Sequence, residues 1–295
     1  MNPTSNTKIF TAIAVPVVAS VLLLAATASK WVGRPPVAEV ATHVEAVALP
    51  GDLVILTPEN RFIELHWFDE DLAAVALNDL PPDLDRFERV VLVRPQTTNS
   101  PPLRRLLAIR ADLLMIEDIR GFTVEVYQLR DHPRVTADLG DLLPEGLVAV
   151  VPQRGEPIPC PWLGDRFDCA QADWTWVGPT VQTFDSQPHR CVWMHPVDDG
   201  EVVLSYEGLS GTHVTGWYGL TDYAVALPGG GPVRMRLSAG SEIGRFRAHD
   251  QRGRRPVRFK FPDDHDGTLE ISISASRAGG RHFCWDLQTV ESDQP

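Results

Sequence analysis

Residues 52–57 read Asp-Leu-Val-Ile-Leu-Thr, four consecutive aliphatic side chains set between Pro50-Gly51 and Thr57-Pro58. A strand with one wet face alternates apolar and polar residues. An uninterrupted apolar run of this length is the pattern of a strand covered on both faces. Upstream, Val37, Val40, Ala41, Val44 and Ala48 recur at helical spacing, and Pro50-Gly51 ends that helix. Downstream, Phe62 to Asn78 is mixed and reads as helix, and Arg89-Val-Val-Leu-Val-Arg94 repeats the buried-strand pattern. Leu103 to Ile119 returns to helical spacing, and Val124-Glu-Val-Tyr-Gln-Leu129 forms a third strand. Strands alternating with helices predict a parallel sheet joined by right-handed crossovers. The expectation for residues 36–135 is a small, Rossmann-like three-layer α/β domain.

The pattern changes after Arg130. Residues 136–188 are rich in Pro, Gly, Asp and Trp and read as an ordered connector. Short strand candidates then follow one another between turn residues: Glu201 to Tyr206, Val233 to Ala239, Ile243 to Ala248, Val257 to Phe261, Leu269 to Ser276 and His282 to Val290. That spacing predicts a jelly-roll-like β-sandwich over residues 189–295. No internal repeat or low-complexity tract occurs.

The amino-terminal segment, residues 1–35, stands apart. Lys8 precedes an unbroken apolar run, Ile9 to Leu24, followed by Ala25-Ala26-Thr27-Ala28-Ser29. Residues 9–29 have the length of a membrane-spanning helix, roughly 20 residues. They also have the parts of a cleavable secretory signal, with Ala26-Thr27-Ala28 as the small-residue site. Both readings, anchor and cleaved signal, put the rest of the chain outside the cytoplasm, in a bacterial periplasm or at the cell surface. The formal net charge of −12 opposes nucleic acid as a partner. Four cysteines, Cys160, Cys169, Cys191 and Cys284, favour disulfides in such a compartment, and there is no CxxC to suggest zinc or redox chemistry. Of three connectivities, the expected one joins Cys160 to Cys169 across a short loop and Cys191 to Cys284 across neighbouring terminal strands of the sandwich.

No catalytic residue, metal ligand or cofactor site is assigned. The first strand-to-helix turn lacks G-x-G-x-x-G, and no serine sits in G-x-S-x-G. Glu59, Glu64, Asp69 and Glu70 read as solvated acids near a helix start. His195, His249, His265 and His282 are scattered, and a metal site needs convergent ligands. Asp263-Asp264-His265-Asp266-Gly267 reads as a solvated acidic turn without the ligand spacing of an EF-hand loop. Trp193, Trp217, Tyr218, Tyr223 and Trp285 are dense for one β domain. Buried, such rings fill the sandwich; exposed in a cleft, they stack on sugars. Trp217, Tyr218 and Tyr223 are the candidate ligand-binding residues, the first two within Gly208–Gly219, which reads as a loop.

Val37 to Asn60, with Pro-Gly-Asp-Leu-Val-Ile-Leu-Thr-Pro-Glu-Asn at its end, resembles the start of the extracytoplasmic C-terminal region of polytopic bacterial glycosyltransferases of the dolichyl-phosphate-mannose type. Arg89 to Arg94 and Gly121-Phe-Thr-Val-Glu-Val-Tyr127 are similar to later strands of that region. The segment framed by Arg190-Cys-Val-Trp-Met-His-Pro196 and Arg281-His-Phe-Cys-Trp285 is similar to a β domain that follows it in some bacterial proteins. Those enzymes carry their catalytic acids on loops between many membrane helices, and this chain has one apolar run. The resemblance therefore implies a non-catalytic cell-envelope protein that binds a glycan or assists a membrane glycosyltransferase. Two other classes stay open: a carbohydrate-active enzyme with its site between the domains, and a structural protein-interaction module.

Overall fold

A computed structural model describes residues 36–291 apart from 50, 69–71, 78–79, 82–83, 99–100, 131, 170–172 and 228. The run 9–29, and with it the expected membrane helix, lies outside the described residues. Among the described residues, no helix is long and apolar enough to cross a membrane.

The chain begins with helix α1 (Pro36–Val47) and a sheet made of β1 (Leu53–Leu56), β2 (Ala73–Ala76), β3 (Arg89–Pro95), β4 (Ala111–Ile119) and β5 (Phe122–Leu129), in the order β2-β1-β3-β5-β4. Helix α2 (Pro101–Arg110) leads directly into β4. As the apolar run predicts, all four residues of β1 are buried. Val37, Val40, Ala41 and Val44 of α1 cover one face, and Leu103 and Leu107 of α2 join the core on the other.

The Rossmann-like expectation is overturned by the strand directions. β1 runs parallel to β2 and β3, but β3–β5 and β4–β5 are antiparallel. Neither expected crossover helix spans its whole stretch. Phe62 to Asn78 contains a 3-10 stretch, Glu59–Trp67, followed by β2, and Leu103 to Ile119 is helical only to Arg110. A tight Arg120-Gly121 turn, both residues at positive φ (51° and 86°), folds β4 back on β5 as a hairpin. The apolar spacing in 103–119 is compatible with either state, and antiparallel pairing with β5 selects the strand.

The rest is a β-sandwich. Its strands are β6 (Arg134–Asp138), β7 (Leu147–Pro152), β8 (Ile158–Cys160), β9 (Phe167–Asp168), β10 (Trp176–Phe184), β11 (Gln187–Met194), β12 (Gly200–Tyr206), β13 (His213–Leu220), β14 (Val233–Ala239), β15 (Glu242–Ala248), β16 (Arg255–Lys260), β17 (Leu269–Ala275) and β18 (Phe283–Glu291). One sheet has the order β16-β13-β18-β11-β10-β9, with β6 also paired to β18; the other is β15-β14-β17-β12-β7-β8. All six strand candidates read from the sequence are present. The stretch 136–188, expected as a connector, supplies most of β6 and all of β7 to β10, so the sandwich starts at Arg134. Tyr218, Phe283, Trp285 and Leu287 meet Leu204, Leu237, Ile271 and Ile273 in the core between the sheets.

Both expected disulfides form, Cys160–Cys169 and Cys191–Cys284. The second joins adjacent strands, because β11 pairs with β18 and sets Trp193 opposite Cys284. Polar contacts join the α/β sheet to the sandwich. Gln187 of β11 donates its amide N–H to the Ala76 carbonyl (2.8 Å) and accepts from the Ala76 N–H (2.9 Å), so one side chain completes the edge of β2. Arg86 donates both Nη groups to the Asp286 carboxylate, at 2.6 and 2.9 Å.

Candidate functional site

The three predicted ligand-binding residues separate. Gly208–Gly219 is not a loop over its whole length: β13 begins at His213 and contains Trp217 and Tyr218. Trp217 is 1 % exposed and Tyr218 6 %, on opposite faces of the strand. Both are packing residues, which corrects the expectation that they meet a ligand. Gly216 (φ 138°) lies where any Cβ would strike the Asp286 carbonyl, so its glycine serves strand packing. Tyr223 differs. It sits on the short helix α3 (Asp222–Ala226) just beyond the end of β13 and is 59 % exposed. Thr221 caps that helix, its Oγ1 accepting from the Ala224 N–H at 3.2 Å.

Tyr223 ends a row of rings along one end of the seven-stranded sheet. Its ring stacks on His282 (4.8 Å, 27°), which precedes β18. His282 packs against Trp193 of β11 at 4.8 Å, and Trp193 stacks on Trp176 of β10 (5.3 Å, 16°). The Arg166 guanidinium lies 5.3 Å from the Trp176 centroid. Trp193 donates its indole N–H to the Trp174 carbonyl at 3.3 Å, and Trp174 is itself 56 % exposed. The row is assembled because the ends of β13 and β11 and the starts of β18 and β10 meet at one end of the sheet.

His195 packs beside the row, 5.8 Å from Trp193 and 5.9 Å from His282, and neither histidine favours its charged form. Burial pushes His195 down to about 4 and lowers His282. His195 Nδ1 lies 2.7 Å from the Pro196 carbonyl oxygen, which assigns the N–H to Nδ1. The site is thus a row of rings with Arg166 at its Trp176 end and an exposed ring at Tyr223. Sequence reading passed over His282 and Trp174, because neither carries a motif and both gain their place from strand adjacency.

A polar cluster on the α/β sheet is satisfied by its own members. Glu125 on β5 is fully buried and accepts from Arg94, Arg104 and Tyr127, and the tyrosine is pushed up to about 12 by burial and by that carboxylate. Among the described residues, no group of three or more His, Cys, Asp or Glu side chains is placed to hold a metal.

No protein-family profile matches the chain, and no curated protein matches it. Parts of it are similar to solved structures of CBM51 modules. One is CBM51-2 with the INT domains of Clostridium perfringens ZmpB, in complex with GlcNAc: 6 % identity, TM-score 0.35, 62 % of this chain and 41 % of that one. Another is the CBM51 of Clostridium perfringens GH95 with methyl-galactose: 13 % identity, TM-score 0.29, 38 % of this chain and 79 % of that one. A third is the tandem CBM51 modules of Sp3GH98, a family 98 glycoside hydrolase from Streptococcus pneumoniae: 11 % identity, TM-score 0.34, 57 % of this chain and 54 % of that one. The chain thus spans about two fifths of the first and about half of the third.

Proposed function

We propose that this chain is an extracytoplasmic glycan-binding protein, with Tyr223 and His282 as its stacking platform. The observation that carries the reading is the large exposed tyrosine held flat against a neutral, half-buried imidazole at the end of a continuous aromatic row. Sugar rings present C–H faces that pack on such surfaces, and stacking asks for no acid, base or nucleophile. Two disulfides, with no free cysteine among the described residues, are the signature of an oxidising compartment. The contact between the α/β sheet and the sandwich, where an interdomain catalytic site was the alternative, is held by the Arg86–Asp286 and Gln187–Ala76 pairs. Tethering through residues 9–29 and service to a membrane glycosyltransferase belong to the same proposal, and co-purification from native membranes tests them.

The test of the platform is a glycan array probed with the wild type and with Tyr223→Ala. The variant is expected to lose at least tenfold in affinity for whichever sugar binds, with its thermal midpoint unchanged because the ring is exposed. Equal binding by the variant, or hydrolysis of an array glycan, overturns the reading.

A further inference from the structure

The chain is acidic, but its charge is not spread evenly. Residues 233–260 carry nine arginines and lysines against two acids, an excess of seven positive charges in a protein of net charge −12. Four of these arginines lie on β14 and β15. The antiparallel register places Arg234 directly opposite Arg247, and Arg236 directly opposite Arg245. Met235 and Leu237, between and beside them, are buried in the core, so the period-two alternation sends all four arginines to the outer face of the six-stranded sheet. Opposed Cβ atoms are about 5 Å apart and successive same-face residues about 7 Å, so the four side chains form a two-by-two grid.

Folding alone does not call for this grid. Like charges directly opposite one another weaken a strand pair, and β15 is an edge strand with ample freedom to carry other residues. One of the four is neutralised: Arg236 reaches Glu270 at 3.2 Å and Glu201 at 3.4 Å. Arg234, Arg245 and Arg247 are exposed, and among the described residues none of them has an ion-pair partner. Ser274, opposite Arg234 on β17, adds a hydroxyl on the next strand.

We infer that this outer face binds an acidic polysaccharide, through carboxylate or sulfate groups carried at intervals along a sugar chain. A guanidinium fork matches both oxyanions in bidentate geometry, and a grid of four matches several charges at once. Nucleic acid is the less fitting polyanion. The disulfides mark an oxidising compartment. A duplex also carries its charge far beyond one grid, where it meets the acidic remainder of the molecule. This surface lies on the opposite sheet from the Tyr223 platform and does not rest on that reading.

The full chain, wild type and Arg234→Glu/Arg245→Glu, which sets a Glu opposite Arg247 and another opposite Arg236, would be titrated with polygalacturonate, heparin, neutral dextran and a DNA duplex at several salt concentrations. The expected result is binding of polygalacturonate, heparin or both, weakening as salt rises. The double variant should bind at least tenfold more weakly with a shallower salt slope, and dextran should not compete. Binding of polygalacturonate shows that carboxylates suffice, and binding of heparin alone shows that sulfate is required. Because the substitutions replace repulsion with attraction across β14–β15, the variant's thermal midpoint should hold or rise, so its loss of binding would not reflect unfolding. Failure of both polysaccharides to bind at low salt, undiminished binding by the double variant, or equally tight duplex binding that depends on the same arginines would overturn the inference.

Discussion

Two buried rings show how single residues tie stability to position. His195 is 2 % exposed, and its pKa is pushed down to about 4. Below the unfolded value near 6.5, the unfolded chain takes up a proton that the folded protein refuses, so stability falls as pH drops from about 6.5 toward 4. One such proton amounts to about 3 kcal/mol over that interval. His195→Asn retains an N–H that can face the Pro196 carbonyl and removes the titration. Urea unfolding at a series of pH values should show a shallower acid loss in the variant, and an unchanged slope would mean that His195 is not the group responsible. Trp217, 1 % exposed, meets Phe184 edge-on at 5.1 Å and lies under Arg254 at 5.4 Å. Trp217→Ala should cost about 3–5 kcal/mol by equilibrium denaturation, the behaviour of a core residue rather than of a sugar platform.

At the scale of elements, closure of edges and ends is the recurring theme. β2 is an edge strand, and an unpaired edge is an invitation to pair with other chains. Gln187 takes the place of a neighbouring strand for one residue, matching both the N–H and the C=O of Ala76. Gln187→Ala leaves that buried peptide unpaired, at about 1–3 kcal/mol. Hydrogen exchange of the Ala76 amide should then quicken by roughly tenfold or more; protection equal to the wild type would show that the clamp adds nothing. The Cys191–Cys284 bond fastens β11 to β18 across 93 residues of sequence. In the chain-entropy account, losing a loop of that size costs about 4–5 kcal/mol. The Cys191→Ala/Cys284→Ala variant should lose several kcal/mol in a denaturant titration; a loss below about 1 kcal/mol would contradict that account.

Across the whole molecule, the α/β sheet is coupled to the sandwich through charged and polar side chains. Arg86 is one of them: its side chain is 7 % exposed, it pairs bidentately with Asp286, and Asp138 lies 3.9 Å away. Burial and the nearby Asp286 raise the Asp138 pKa, so the two carboxylates rely on the guanidinium between them. Arg86→Met leaves them facing each other without a cation, the situation in which breaking a buried pair costs about 3–5 kcal/mol. Calorimetry should then resolve two transitions, one for each unit, and a single cooperative transition at the wild-type temperature would show that the units are joined by other means.

Local pattern was sufficient for much of the chain. The buried run Leu53–Leu56, the α1 stripe and the six strand candidates of the sandwich were legible because the periods 3.6 and 2 are properties of neighbouring residues. The cysteine pairing followed from separations along the chain and the compartment. Strand direction was not legible in the same way. Nothing within Leu103–Ile119 states that Arg110 ends a helix and Ala111 starts a strand, since that choice is made by pairing with β5. The burial of Trp217 had the same origin: Gly and Thr content suggested a loop, whereas β16 and β18 on either side make it a central strand. The platform of Tyr223, His282 and Trp193 joins residues from three distant segments, and only the order of strands in the sheet brings their rings together. The arginine grid depends on register, which an antiparallel turn sets and composition does not record. The sequence by itself determined where strongly periodic or uninterrupted apolar stretches lie and which of their faces are apolar, because those depend on local side-chain chemistry. Tertiary structure alone decided which elements lie side by side and which aromatic rings remain exposed, because those depend on contacts between residues far apart in the chain.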